Sequence, residues 1–125
     1  MENDDKFTIL IADRNPHVRE FLKREMMDDG YRVRLAKDSR EVLKWAFRKE
    51  SLDLLILDLD LPDEGGVEIL EQLKDRIPTL PVVLHSFQTD CANYPETLIT
   101  TVFVEKQGNS IERLKKTVSK MLYRV

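Results

Sequence analysis

Leu54-Leu55-Ile56-Leu57-Asp58-Leu59-Asp60-Leu61-Pro62 carries an unbroken apolar run into an acidic residue and then into a proline-containing loop. Such a run is the pattern of a strand buried on both faces, as in a parallel sheet covered by helices. Its carboxyl end presents Asp58 at the rim where open α/β sheets bind ligands. The pattern occurs a second time: Phe7-Thr8-Ile9-Leu10-Ile11-Ala12 ends in Asp13 and leads through Arg14 and Asn15 to Pro16 and a helical pattern. If the two strands are neighbours, their carboxylates lie side by side. That arrangement is costly unless a cation or an incoming phosphoryl group uses it.

Buried strands alternate with amphipathic helices along the rest of the chain, which argues for a parallel sheet with helices on both faces. Asn15 is a good N-cap with Pro16 at the first helical position; Val18, Phe21, Leu22 and Met26 form an apolar stripe, and Gly30 supplies the stop. Tyr31 to Ala36 alternates apolar residues with Arg32 and Arg34, the mark of a strand near an edge. Asp38 and Glu41 form a capping pair for a helix with Val42, Leu43, Ala46 and Phe47 inward and Trp45 packed against it. A third strand spans Asp53 to Leu57, and the loop from Asp58 to Gly65 opens a helix with Val67, Leu70, Leu73 and Ile77 inward. Pro78 and Pro81 bracket a turn before a strand from Val82 to His85. Phe87 to Thr100 keeps neither period and contains Pro95, so a helix there is short or irregular. A fifth strand follows from Thr101 to Glu105, and Ile111, Leu114, Val118, Met121 and Leu122 stripe a last helix from about Ser110.

Composition narrows the function. The 125 residues suit one domain with one core. A net charge of -3, left over from 20 basic and 23 acidic residues that are spread along the chain, argues against direct nucleic-acid binding. The lone Cys91 excludes an internal disulfide and a thiolate metal cluster and fits the cytoplasm. The apolar runs are strand-length and the first residues are acidic, so neither a membrane span nor a secretion signal is expected. His17 and His85 have no companions at metal-ligand spacing, and Arg19, Lys23 and Arg24 read as a solvated helix face. No GxGxxG or P-loop is present, which counts against a nucleotide-binding enzyme or a flavodoxin-like cofactor protein.

Four blocks, Ile9-Leu10-Ile11-Ala12-Asp13, Leu54 to Asp58 with Pro62 and Gly66, Pro81-Val82-Val83-Leu84-His85-Ser86, and Phe103-Val104-Glu105-Lys106, resemble in order and spacing those of a response-regulator receiver domain. The resemblance covers roughly the whole chain. It implies a flavodoxin-like, doubly wound five-stranded parallel sheet of order 2-1-3-4-5. It also implies a signalling module, not an enzyme, in which Asp58 takes a phosphoryl group from a histidine kinase or phosphotransfer protein and the signal passes to a target protein by contact. Within it Ser86 is the hydroxyl that hydrogen-bonds the phosphoryl oxygen, Lys106 the ammonium that pairs with it, and Phe103 the aromatic switch. Mg²⁺ is the implied cofactor, with Asp13, Asp58 and Asp60 at the metal site. Single carboxylates suit the role because an acyl phosphate is labile and so reversible.

Three features depart from the family. Arg14 stands where receivers usually carry the second residue of an acidic pair, the one that contacts Mg²⁺ directly, and a guanidinium cannot serve as a ligand. Near Asp13 and Asp58 it would sit as a fixed cation; Asp60 offers partial compensation. Gln107 replaces the proline that follows the lysine, which implies a trans peptide bond there. The fourth helical segment is broken by Pro95. The competing function is a pseudo-receiver that binds partners constitutively, independent of phosphorylation, with Arg14 holding the pocket in one state.

Overall fold

A computed structural model describes residues 6–48, 50–63, 66–87, 101–108 and 110–123. The elements are β1 (Thr8–Ala12), α1 (Pro16–Asp28), β2 (Arg32–Ala36), α2 (Ser39–Ala46), β3 (Leu54–Leu57), α3 (Gly66–Leu73), β4 (Val82–Ser86), β5 (Thr101–Glu105) and α4 (Ser110–Leu122). The expected irregular helix between Phe87 and Thr100, Cys91, Gly65 and the inward side chain of Val67 lie outside the described residues. The sheet is five-stranded and parallel in the order β2-β1-β3-β4-β5, the doubly wound arrangement expected.

The two faces follow from the period-two alternation of the central strands. Leu10, Leu55, Leu57, Val82 and Leu84 join Val42 and Ala46 of α2 and Ile69, Leu70 and Leu73 of α3 in one core. Ile9, Ile11, Leu54, Ile56, Val83 and Val104 meet Leu22 and Met26 of α1 and Leu114 and Val118 of α4 in the other. Every residue of β1, β3 and β4 is buried, which is why those segments read as continuous apolar runs. Each such aliphatic side chain contributes roughly 1.5–3 kcal/mol on burial.

Local signals fix the helix ends. Asn15 Oδ1 accepts from the backbone N–H groups of His17 (2.8 Å) and Val18 (3.4 Å), and Gly30 takes a positive φ of 94° just past α1. Asp38 caps α2 through Glu41 N–H at 2.9 Å, while Glu41 Oε1 accepts from Lys37 N–H at 2.9 Å. Three side chains differ from expectation. Phe47 is 53% exposed because α2 ends at Ala46, one residue before it. Ile77 is 93% exposed because α3 stops at Leu73 and the apolar period does not continue past it, and Phe21 is 43% exposed on the outer flank of α1's stripe. Among the described residues the one cis peptide bond is Ile77–Pro78, so Lys106–Gln107 is trans as expected.

Candidate functional site

Because all strands are parallel, their carboxyl ends share one edge. Ala12 aligns with Leu57 across β1 and β3, so the next residues, Asp13 and Asp58, are neighbours; Asp58 N–H donates to Ala12 C=O at 2.9 Å. Both side chains are buried, Asp13 at 2% and Asp58 at 3% exposure. Lys106, just past β5, bridges them, with Nζ 2.8 Å from Asp13 Oδ2 and 3.4 Å from Asp58 Oδ2. The three expected to converge do so. Its stem is placed by Lys106 N–H donating to Ser86 C=O at 2.9 Å, and Nζ lies 5.6 Å from the centroid of the Phe87 ring, a cation–π contact.

Ser86 is fully buried at the end of β4. Its hydroxyl donates to Asp58 Oδ1 at 3.2 Å and accepts from Leu59 N–H at 2.7 Å. Asp60 N–H also donates to Asp58 Oδ1, at 3.1 Å, while Lys106 is the partner of the other carboxylate oxygen among the described residues. Phe103 is 37% exposed and aligned with Leu84 on the neighbouring strand, so its ring is not a packed core side chain.

Arg14 does not take the place of a metal between the buried carboxylates. Its Nη1 pairs with Asp60 Oδ2 at 2.9 Å, with both side chains half exposed. A guanidinium retains its hydration there, whereas entering the pocket beside the Lys106 ammonium would strip that hydration. The Asp60 carboxylate is correspondingly turned to Arg14. Among the described residues no three acidic, His or Cys side chains are grouped to hold a metal ion. What does suit a hard divalent cation is the pair of buried carboxylates: Mg²⁺ takes oxygen ligands, keeps several waters, and is commonly held by only one or two carboxylates.

The electrostatics show an excess of negative charge. Burial holds the Asp13 carboxyl above its ordinary pKa, against the lowering pull of the Lys106 ammonium and the Asn15 N–H, and the nearby Asp58 charge adds to the rise. Asp13→Asn is therefore expected to stabilise the fold at pH 7 by about 1 kcal/mol, or roughly 4 °C in Tm, by removing a desolvated charge. A carboxyl with a raised native pKa destabilises once ionised, so native stability falls as pH rises from the unfolded value through the native one. The advantage of the variant closes as pH falls through that window. Thermal melts of both proteins from pH 4 to 8 check this.

Three contributors went unread in the sequence. Arg19, read as solvated, donates from Nη1 to Asp13 C=O at 2.6 Å and so holds the β1–α1 turn. His85 is 5% exposed on the opposite face of β4 from Ser86; Nε2 lies 3.1 Å from Ser110 Oγ. Burial, reinforced by the Lys106 charge and opposed by Asp58, pushes its pKa down to about 4, so the ring is neutral at physiological pH. Asp63, in the loop after Asp58, accepts from Ser39 N–H (2.8 Å), Ser39 Oγ (2.5 Å) and Arg40 N–H (3.2 Å), fastening that loop to the first turn of α2. Ser39 and Arg40 lie 24 and 23 residues away, so no local pattern marks these contacts. Asp63→Ala leaves the buried Ser39 hydroxyl without this acceptor and is expected to cost about 1–2 kcal/mol, with Asp63→Asn costing less. Urea midpoints of the two variants read the difference.

A doubly wound parallel sheet with two buried carboxylates, a hydroxyl and an ammonium at its carboxyl edge is the arrangement expected of a receiver domain. The chain belongs to the response regulator receiver domain family, whose model matches residues 9–118. It is 35% identical over 81 residues to the DNA-binding transcriptional regulator NtrC of Bradyrhizobium sp., covering 65% of this chain but 17% of that protein. The match thus spans about a sixth of that relative. Among solved structures it is similar to the response regulator TrrA of Thermotoga maritima in complex with Mg²⁺-BeF, at 28% identity and a TM-score of 0.81, covering 93% of this chain and 99% of that one. TrrA has also been solved in complex with the histidine kinase ThkA; there the TM-score is 0.75 at 28% identity, over 93% of this chain and 98% of that one. Among the described residues no helix is long and apolar enough to cross a membrane.

Proposed function

We propose that this receiver accepts a phosphoryl group on Asp58 from the phosphohistidine of a histidine kinase or phosphotransfer protein and signals by protein contact. The observation that carries the reading is the single ammonium of Lys106 shared by two buried carboxylates at the ligand-binding edge of the sheet. Asp58 is the nucleophile of the pair because its loop and Ser86 surround it with donors, and because it sits between β1 and β4 in the middle of the sheet. Its carboxylate oxygen attacks phosphorus, a P–O bond forms as the P–N bond to the donor imidazole breaks, and the imidazole leaves with its proton. Lys106 then neutralises phosphoryl oxygens, and the Ser86 hydroxyl, free to rotate from Asp58, donates to another. Asp13 and Asp58 carboxylates with the Asp60 main chain are the groups that would hold Mg²⁺. When bound, Mg²⁺ supplies charge neutralisation on the phosphoryl oxygens.

A cleft of about 430 Å³ opens beside Lys106 between α1 and the start of α4, with the exposed rings of Phe21 and Phe87 on its walls. We place the phosphodonor protein on this apolar lip. The phosphorylation-independent alternative loses its physical support, since Arg14 leaves Asp13 and Asp58 to Lys106. Incubation with acetyl phosphate, with and without Mg²⁺, followed by intact-mass spectrometry, tests the reading. A chain that gains no phosphoryl group in either condition overturns it.

A further inference from the structure

We propose that Arg14 is a phosphoryl-binding residue: once Asp58 is phosphorylated, its guanidinium leaves Asp60 and pairs with the phosphoryl oxygens, taking over part of the charge neutralisation otherwise left to Mg²⁺. The inference rests on the reading of Asp58 as phosphoacceptor. Its first support is placement. Arg14 follows Asp13 on the strand next to β3, and Nη1 lies 2.9 Å from the Asp60 carboxylate, while Asp60 N–H donates to Asp58 Oδ1 at 3.1 Å. The guanidinium is therefore held by the loop that carries the phosphoacceptor, on a residue two positions from Asp58 whose N–H bonds the Asp58 carboxylate.

The second support is that its present partner holds it loosely. Arg14 and Asp60 are 58% and 52% exposed, and ion pairs that open to water contribute little, so releasing Asp60 costs little. The third is charge. At rest the buried site carries the two carboxylates of Asp13 and Asp58 against the one ammonium of Lys106. A phosphoryl group adds more negative charge and three acceptor oxygens at the mouth of the pocket. Lys106 brings one point charge that it shares with Asp13, whereas the planar fork of Arg14 matches two phosphoryl oxygens at once. The transfer is otherwise unchanged: P–O forms, the donor's bond to phosphorus breaks, and Arg14 stays protonated throughout and moves no proton.

The substitution of arginine for a carboxylate is then an exchange of one cation source for another. A receiver built this way retains phosphorylation when Mg²⁺ is removed. The test follows acetyl phosphate labelling by intact mass for the parent, Arg14→Ala and Arg14→Lys, each in saturating Mg²⁺ and in EDTA, with thermal melts to establish that all three are folded. In EDTA, Arg14→Ala is expected to label about tenfold or more slowly than the parent, the size of a lost charge-assisted hydrogen bond, with Arg14→Lys in between. In Mg²⁺ the three rates draw together. A parent that labels in Mg²⁺ but not in EDTA overturns the proposal and leaves Asp58 as phosphoacceptor intact. So does Arg14→Ala labelling like the parent in EDTA, or slowed equally in both buffers, which marks a structural role. Absence of label in all three proteins in both buffers overturns the phosphoacceptor reading, and this inference with it.

Discussion

Asp58→Asn is expected to lose phosphoryl labelling completely, the largest effect of any single substitution in this chain. The amide keeps the size of the carboxylate, and its oxygen still accepts from Ser86 Oγ and Asp60 N–H, the two contacts that now fix Oδ1. What it lacks is the anionic oxygen that must attack phosphorus, so binding geometry survives while the nucleophile does not. Replacing a buried, half-neutralised charge with a neutral group also lowers the electrostatic cost of the folded state, so the variant should be at least as stable as the parent. Labelling and thermal melting on the same samples read both. Loss of label with a raised or equal Tm separates loss of chemistry from loss of fold. Label on Asp58→Asn equal to that on the parent would refute the assignment.

Lys106→Met should be the most destabilising change at the site. Lys106 is 15% exposed and its ammonium touches two nearly inaccessible carboxylates, so its removal leaves two buried negative charges facing each other. Breaking a buried pair by deleting one partner typically costs about 3–5 kcal/mol. Here about 3 kcal/mol is expected at pH 8, the low end of that range, because Lys106 keeps 15% of its side chain in solvent. The sign of the pH dependence follows. Without the ammonium the native carboxyl pKa rises further above the unfolded one, so the native state binds more protons and stability falls as pH rises through that interval. The deficit relative to the parent should shrink from pH 8 to pH 5. Urea denaturation at both pH values measures it; a deficit independent of pH would mean that the carboxylates are not coupled to Lys106. Labelling should also slow by about tenfold or more, as one charge-assisted contact to the phosphoryl group is lost.

Much of the site was legible because the relevant signals are local. Leu54 to Leu57 and Ile9 to Ala12 are apolar on both faces, which only a covered central strand tolerates, and each run stops at an Asp. Asn15 and Pro16, Asp38 and Glu41, and Gly30 mark helix ends through contacts spanning a few residues, so their chemistry can be read without the fold. Errors arose where a period was carried past its element, as at Ile77 beyond the end of α3, or where a flank was counted as core, as at Phe21.

The sequence by itself determined the strands, their termination in Asp13, Asp58 and Glu105-Lys106, and hence which residues could meet at the carboxyl edge of a parallel sheet. Only the tertiary structure decided how the charges pair across that edge: Lys106 with both buried carboxylates, Arg14 with Asp60, Arg19 with the Asp13 carbonyl, and Asp63 with the start of α2. The reason is physical. Hydrophobic periodicity is set by neighbours in the chain, whereas the choice between a buried and a hydrated partner depends on the desolvation cost at each place, which exists only once the chain has folded.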